Sequence, residues 1–196
     1  MKKLFVCALL TALTASSCGD KKDQTNAAKN EAKHISANPG FNEEFANLMG
    51  DYYSLKDNFI SEKDSMINKY SRALLTDVDS LHFDQFRADS NIVAFAKTTA
   101  ENMSGELQGL LGENTLENKR KSLYTLSEQL YDLIRAVQYD KEPVYRILCN
   151  EAFENTGASW LNNSAEIKNP YSPKKMPGCG AITDTIDFRK KLTNEL

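Results

Sequence analysis

The sequence predicts a mainly α protein, a four-helix antiparallel bundle followed by a small C-terminal β element. Apolar residues recur at intervals of three and four from about residue 41 to residue 137. This helical period is lost after Asp140, where β-forming residues alternate with turn signals. The connections between the four periodic stretches are short, which favours antiparallel neighbours.

The composition limits the classes of function. With 196 residues, 41% of them hydrophobic, the chain can form one domain with a substantial core. Its formal charge of −3, without a large basic block, argues against nucleic-acid binding. His34 and His82 are the only two histidines, and the sequence has no nucleophile-elbow, zinc-protease or phosphate-loop motif, so we do not expect an enzyme.

The N-terminus has the pattern of an export signal. Two lysines precede the apolar stretch "LFVCALLTALTA", which is too short to be a permanent membrane-spanning helix. Small residues then lead to Cys18 and resemble the lipobox of bacterial lipoproteins, although Ala15 stands where a leucine is usual. This resemblance implies that residues 1–17 are a signal peptide, and that lipid on Cys18 anchors an exported chain to a bacterial membrane, facing the periplasm or the cell surface. Ordinary secretory cleavage is the alternative.

Residues 18–40 are predicted to be a flexible tether. They are polar, lack an apolar period and end in Pro39-Gly40. His34 lies in this stretch, where we expect it to be solvated.

Each bundle helix is predicted from its own apolar stripe. Ser61-Glu-Lys-Asp64 resembles a capping sequence between the first two helices, and Asn114 with Glu117 predicts the N-cap of the fourth. The loop between the second and third helices carries His82. The predicted core residues, helix by helix, are Phe41, Phe45, Leu48, Tyr52, Leu55 and Phe59; Met66, Ile67, Tyr70, Leu74 and Val78; Ile92, Ala96, Thr99, Met103, Leu107 and Leu110; and Leu123, Leu126, Leu130, Leu133 and Val137.

The β element is predicted from three short segments. "EPVYRILCNEAF" is rich in β-forming residues, "ENTG" supplies a turn, and "ASWLNN" could return as a second strand. "AITDTI" is a candidate last strand. The bundle and this element make one domain over residues 41–186, and residues 187–196 are predicted to be a frayed or helical tail.

The C-terminal segment carries a specific pattern of residues. It reads Cys149-x-x-Ala-Phe, Asn155-x-Gly, Trp160-Leu, Glu-Ile-x-Asn-Pro-Tyr ending at Tyr171, and Lys-Met-x-x-Cys-Gly ending at Gly180. Together with "YYSLKD" at residues 52–57, this resembles a bacterial domain of unknown function over about residues 41–186. That domain occurs alone in exported lipoproteins, and it is fused to the C-terminal end of periplasmic adaptor subunits of heavy-metal (copper/silver) efflux pumps. The resemblance implies metal handling, with an efflux adaptor or another envelope protein as partner.

Three sulfur side chains form the candidate metal site: Cys149, Met176 and Cys179. Two thiolates and a thioether suit Cu(I) or Ag(I) better than calcium or magnesium. Met176 and Cys179 are three residues apart, so one turn could direct both to a common point. Relatives commonly read Cys-Pro-Met-Ala where this chain has Cys149-Asn-Glu-Ala, so one methionine of the family pattern is missing.

A disulfide is the alternative role of the cysteines. Without Cys7 in the signal and Cys18 under lipid, Cys149 and Cys179 are the remaining thiols, and an isolated pair in an oxidising compartment usually forms a bond. Such a bond would stabilise the fold by roughly 3–4 kcal/mol. Two hypotheses therefore stay open: a cell-envelope binding module for a soft metal ion, and a disulfide-stapled protein-interaction module without a metal role.

The other polar and aromatic residues of the segment have structural interpretations. We expect Trp160 to be a buried anchor, with Tyr171 packed beside it and its hydroxyl at the rim. Asn169 before a proline predicts a turn. Glu151 and Glu166 could complete a harder metal site, but we expect them to be solvated at the surface. His82 could be a fourth ligand, but no spacing in the sequence supports that role.

Overall fold

The computed structural model describes residues 36–37 and 39–191. The predicted signal peptide, Cys18, most of the predicted tether with His34, and the last five residues lie outside these ranges. Among the described helices, none combines the length and the apolar character needed to cross a bilayer.

Four long helices form the bundle: α1 (Pro39–Ile60), α2 (Asp64–Asp79), α3 (Ser90–Gly112) and α4 (Leu116–Val137). Each packs against the next along the chain. The predicted stripes face the core, where all their members are buried except the half-buried Met66, Tyr70 and Ile92. The predicted fold class is thereby confirmed.

The helix caps differ from the predicted ones. The break after α1 falls where the sequence predicts it, but Lys63 holds the N-cap position of α2 without a side-chain cap. Ser61 instead donates its hydroxyl to the carbonyl oxygen of Asp57, at 2.9 Å. At α4 the cap is Thr115, whose hydroxyl oxygen accepts from the backbone N–H of Asn118 at 3.2 Å, so the predicted cap at Asn114 is wrong by one residue.

An aromatic cluster closes the end of the bundle where α1 begins. Phe41 packs against Phe83 and Phe86 at ring-centroid distances of 5.7 and 5.4 Å. Phe83 begins a short 3-10 turn (Phe83–Gln85) in the predicted loop. Strand β2 (Phe86–Arg87) follows directly and pairs with β1 (Ser36–Ala37). Residues 36–37 and 39–40 of the predicted tether therefore belong to β1 and α1.

The C-terminal β element is a three-stranded antiparallel sheet. Its strands are β3 (Val144–Cys149), β4 (Ala158–Asn162) and β5 (Ala181–Ile186), in the order β4-β3-β5. The predicted first strand stops at Cys149, because a short helix, α5 (Ala152–Asn155), follows with Phe153 and Glu154 at left-handed φ angles of 48° and 59°. After β5, the first part of the predicted tail forms a 3-10 turn, Phe188–Lys191.

The two edges of the sheet differ: strand β4 is buried, whereas most of strand β5 is exposed. Strand β4 is fully buried: it packs on α4, and Tyr52 and Lys56 of α1 contact its outer side. The pairing of β5 with β3 is irregular near Arg146, and Asp184 Oδ1 accepts the backbone N–H of Thr185 at 2.8 Å. A covered strand, a bulge and an occupied N–H all discourage pairing with a further strand.

Two carboxyl groups meet where α1 packs on α2. Asp77 lies beside Asp51, and the pKa of Asp77 is raised to about 6, first by burial and then by the charge and hydrogen bond of Asp51. Near neutral pH the ionised Asp77 therefore opposes folding, mainly because its carboxylate is desolvated and further because Asp51 repels it.

Candidate functional site

The two cysteines of the C-terminal pattern are joined in this structure. Cys149 ends β3 and is 1% exposed, whereas Cys179 is half-buried and stands just before β5. Their sulfurs form a disulfide bond, with 5.3 Å between the two Cα atoms. The bond closes the segment that runs from the end of β3, through β4, to the start of β5.

Asn169 organises the loop between β4 and β5. Its side chain is buried, and its carbonyl oxygen accepts from the backbone N–H groups of Tyr171 and Ser172 at 2.9 and 3.3 Å. Its Nδ2 donates to the carbonyl oxygen of Met176 at 3.1 Å and to Cys149 Sγ at 3.7 Å. The predicted turn at Asn169 is present, and its side chain also bridges the loop to the disulfide.

Trp160 and Tyr171 pack beneath this loop. Trp160 is fully buried and meets Tyr171 edge-on, with ring centroids 6.0 Å apart. The sequence predicted that the Tyr171 hydroxyl lies at the rim, and this prediction is wrong. The hydroxyl donates to the carbonyl oxygen of Ser159 at 2.5 Å inside the domain. Burial holds the pKa of this hydroxyl well above its usual range. Both rings are therefore part of the hydrophobic core.

Gly180 follows Cys179 because no side chain fits there. A Cβ at this position would lie 2.8 Å from Ile147 Cγ2, 2.8 Å from Trp160 Cη2 and 3.0 Å from Ile167 Cγ2. The first two neighbours are fully buried and have little freedom to move. The Cys-Gly pair therefore lets the backbone pass against the sheet.

The disulfide and one backbone turn bring the three candidate sulfur residues into the same segment of the fold. Met176 is half-buried, and its carbonyl oxygen accepts the backbone N–H of Cys179 at 3.1 Å, so both belong to one turn beside Cys149. Because the cysteines are bonded to each other, neither offers a thiolate in this oxidised form. Within residues 39–189, the structure has no cluster of three or more His, Cys, Asp and Glu side chains suited to a metal ion.

The other candidate ligands have different partners. His82 Nδ1 lies 2.8 Å from Glu44 of α1, near the aromatic cluster. Glu166 is exposed and pairs with Lys168 at 2.9 Å, and Glu151 is exposed beside α5. The structure does not bring these three side chains to a common point.

Two α1 residues that position the segment were not predicted as functional. The Tyr52 hydroxyl accepts the backbone N–H of Leu161 at 3.0 Å and is 2.7 Å from the hydroxyl of Ser127. One turn later, the buried Lys56 donates to Asn162 Oδ1 at 2.8 Å. Their i, i+4 spacing within "YYSLKD" was the available signal, since it places both on one face of α1.

A second set of contacts ties the loop to the end of the bundle opposite Pro39. Arg120 of α4 donates to the carbonyl oxygen of Pro170 at 3.1 Å and to Glu62 Oε1 at 3.0 Å. Glu62 also pairs with Lys174, and these two cations lower the pKa of its carboxyl, Lys174 first. The helix-to-helix turn, α4 and the loop are thereby held together at one pole of the domain.

Comparison with known proteins identifies one related family. The model of a family described as a protein of unknown function (DUF3347) matches residues 48–142. The matched range contains "YYSLKD" and most of the bundle and stops before β3, so it excludes both bonded cysteines. No curated protein and no solved structure matches the chain.

Proposed function

We propose that the chain is an exported lipoprotein whose domain is a disulfide-stabilised interaction module of the cell envelope. The sequence pattern before Cys18 supports the lipid anchor, and the polar residues up to about position 38 supply the tether. The residues of the C-terminal pattern have structural roles: the side chains of Trp160, Asn169 and Tyr171 are buried, and the cysteines are bonded to each other. Because these residues stabilise the domain in this form, we infer that it acts through its surface, by binding a partner.

The partner is expected to meet the pole that carries Lys174, at the opposite end of α1 from Pro39. The chain enters the bundle at Pro39, and α1 has 22 residues, which corresponds to a length of about 33 Å. The loop and Glu62 lie beyond its far end. A cavity of about 200 Å³ opens there, lined by residues that include Arg120, Ser172 and Lys174.

The charge of this pole favours an acidic partner surface. Among the described residues, Lys63, Lys121 and Lys175 are exposed and without an ion pair, and each neighbours a residue that holds the pole together. Exposed lysines increase the association rate and the specificity of binding when they face carboxylates of the partner. The family resemblance makes a heavy-metal efflux adaptor the first partner to test.

Binding of the purified chain to a purified copper/silver efflux adaptor tests this proposal. Lys175→Glu combined with Lys121→Glu should weaken binding at low salt at least tenfold, while Lys141→Glu should leave it unchanged. Lys141 is an exposed lysine near the other end of α4 and is the matched control. Equal loss with both variants, or no binding by the parent chain, would contradict this role. For the anchor, Cys18→Ser should abolish lipid incorporation and partition into detergent.

Soft-metal binding is the second candidate, and it requires the reduced form. Its support is that Met176 shares a backbone turn with Cys179, and that a thioether and two thiolates are ligands suited to Cu(I) or Ag(I). Titration of the reduced chain with Cu(I) should then protect two thiols at one ion per chain. Cys149→Ser and Cys179→Ser should each abolish that binding, and retention of copper by both variants would refute the site.

A further inference from the structure

The two cysteines of the disulfide differ in burial. Cys149 ends β3 and is buried, whereas Cys179 is half-buried beside the exposed Gly178. Thiol–disulfide exchange begins with attack of a thiolate along the S–S axis, and access decides which sulfur receives it. An external thiolate can therefore approach Cys179 more easily than Cys149.

A hydrogen-bond donor is already directed at the buried sulfur. Asn169 Nδ2 lies 3.7 Å from Cys149 Sγ, within hydrogen-bonding range for sulfur. Cys149 is the sulfur that would leave when Cys179 is attacked, and it would leave as a thiolate. A donated N–H stabilises that charge, which burial alone would disfavour.

The loop is also held by bonds that do not involve sulfur. The Asn169 backbone N–H donates to the carbonyl oxygen of Pro177 at 3.0 Å, and Arg120 binds the carbonyl oxygen of Pro170. The Tyr171 hydroxyl binds Ser159, and Gly180 packs directly on Trp160. None of these contacts involves the S–S bond, so we expect them to hold the loop in place when the bond is opened.

From this asymmetry we propose that Cys149–Cys179 is a thiol-exchange site that a dithiol reductant opens within the folded domain. The reductant's thiolate attacks Cys179 Sγ, the S–S bond breaks, and the electron pair goes to Cys149 Sγ, which Asn169 stabilises until it takes a proton from water. The second thiol of the reductant then attacks the mixed disulfide and releases Cys179. The reductant ends as a disulfide, and the protein has gained two electrons and two protons.

Oxidation state would then select between the two candidate functions. The oxidised form is the stapled interaction module, and the reduced form presents two thiols beside Met176. This last consequence rests on the proposed function, whereas the exchange reaction itself requires neither metal nor partner.

The first experiment identifies the attacked sulfur. The oxidised full chain is incubated with glutathione in native buffer, quenched with acid and treated with N-ethylmaleimide, and its peptides are analysed by mass spectrometry. We expect glutathione on Cys179 and N-ethylmaleimide on Cys149, with circular dichroism unchanged during reduction by dithiothreitol. Glutathione on Cys149, or thiols that appear only at urea concentrations that unfold the chain, would overturn the proposal.

A second experiment tests the role of Asn169 through the sign of a rate change. Asn169→Asp keeps the size and the acceptor oxygens but removes the donor to Cys149. Loss of leaving-group stabilisation should slow exchange about threefold to tenfold, whereas simple loosening of the loop would expose the bond and accelerate exchange. Faster exchange in the variant would show that Asn169 only holds the loop. Because neither assay contains an adaptor or copper, failure here leaves the interaction proposal intact.

Discussion

Replacing Gly180 by alanine measures how tightly the segment is fitted to the sheet. The added methyl carbon would stand 2.8 Å from both Ile147 Cγ2 and Trp160 Cη2, well inside normal contact distance. Both residues are fully buried, so relief requires a shift of the core or of the backbone that carries Cys179. Overpacking of this kind typically costs about 1–3 kcal/mol.

Gly178 supplies the matched control two residues away. A Cβ there has no heavy atom within 4 Å, so Gly178→Ala adds the same methyl group to open space. Reduced freedom of the unfolded chain makes such a change neutral or slightly stabilising, by up to about 1 kcal/mol.

Urea unfolding of the oxidised chain, followed by circular dichroism, gives the free energies of unfolding. We expect Gly180→Ala to lower the free energy by about 2 kcal/mol at an unchanged m value, and Gly178→Ala to leave it within about 0.5 kcal/mol or raise it. A loss below about 0.5 kcal/mol for Gly180→Ala, or equal losses for the two variants, would show that the close packing around Gly180 is not rigid.

Two further predictions concern the bundle. Tyr52→Phe leaves the Leu161 N–H buried without its acceptor, so the free energy of unfolding should fall by about 1–3 kcal/mol; a neutral result would mean that water replaces the hydroxyl. Asp77→Asn should stabilise the domain at pH 7.5 by roughly 1 kcal/mol, a value reduced for solvent screening. The pKa of Asp77 in the folded chain, about 6, exceeds the ordinary aspartate value of 3.8, so the wild-type chain gains stability as the pH falls through 6. The gap between Asp77→Asn and wild type should therefore close below about pH 4 in urea titrations, and a gap independent of pH would contradict the interpretation.

Local sequence signals predicted the bundle because each helix buries a stripe of its own. The leucines at residues 123, 126, 130 and 133 define the α4 face without reference to any other element, and all are buried. The choice between Asn114 and Thr115 as cap was not accessible, since both residue types cap helices well.

The arrangement around the disulfide depends on contacts between distant residues. Tyr52 reaches Leu161 and Lys56 reaches Asn162 across more than a hundred positions, and no local pattern encodes those pairs. The sequence likewise left the state of Cys149 and Cys179 open, because thiols suit both a metal ion and a bond. The close approach at Gly180 arises only when β3, β4 and the loop are assembled.

The features of the two sheet edges would matter if the proposed lipid anchor gathers many copies on one membrane. Molecules confined to one surface meet far more often than the same molecules free in solution, and an open strand would let them join into chains. Here one margin of the sheet lies beneath helix α1, and on the other the carboxylate of Asp184 already holds the N–H of Thr185. Both features disfavour strand pairing between neighbouring copies.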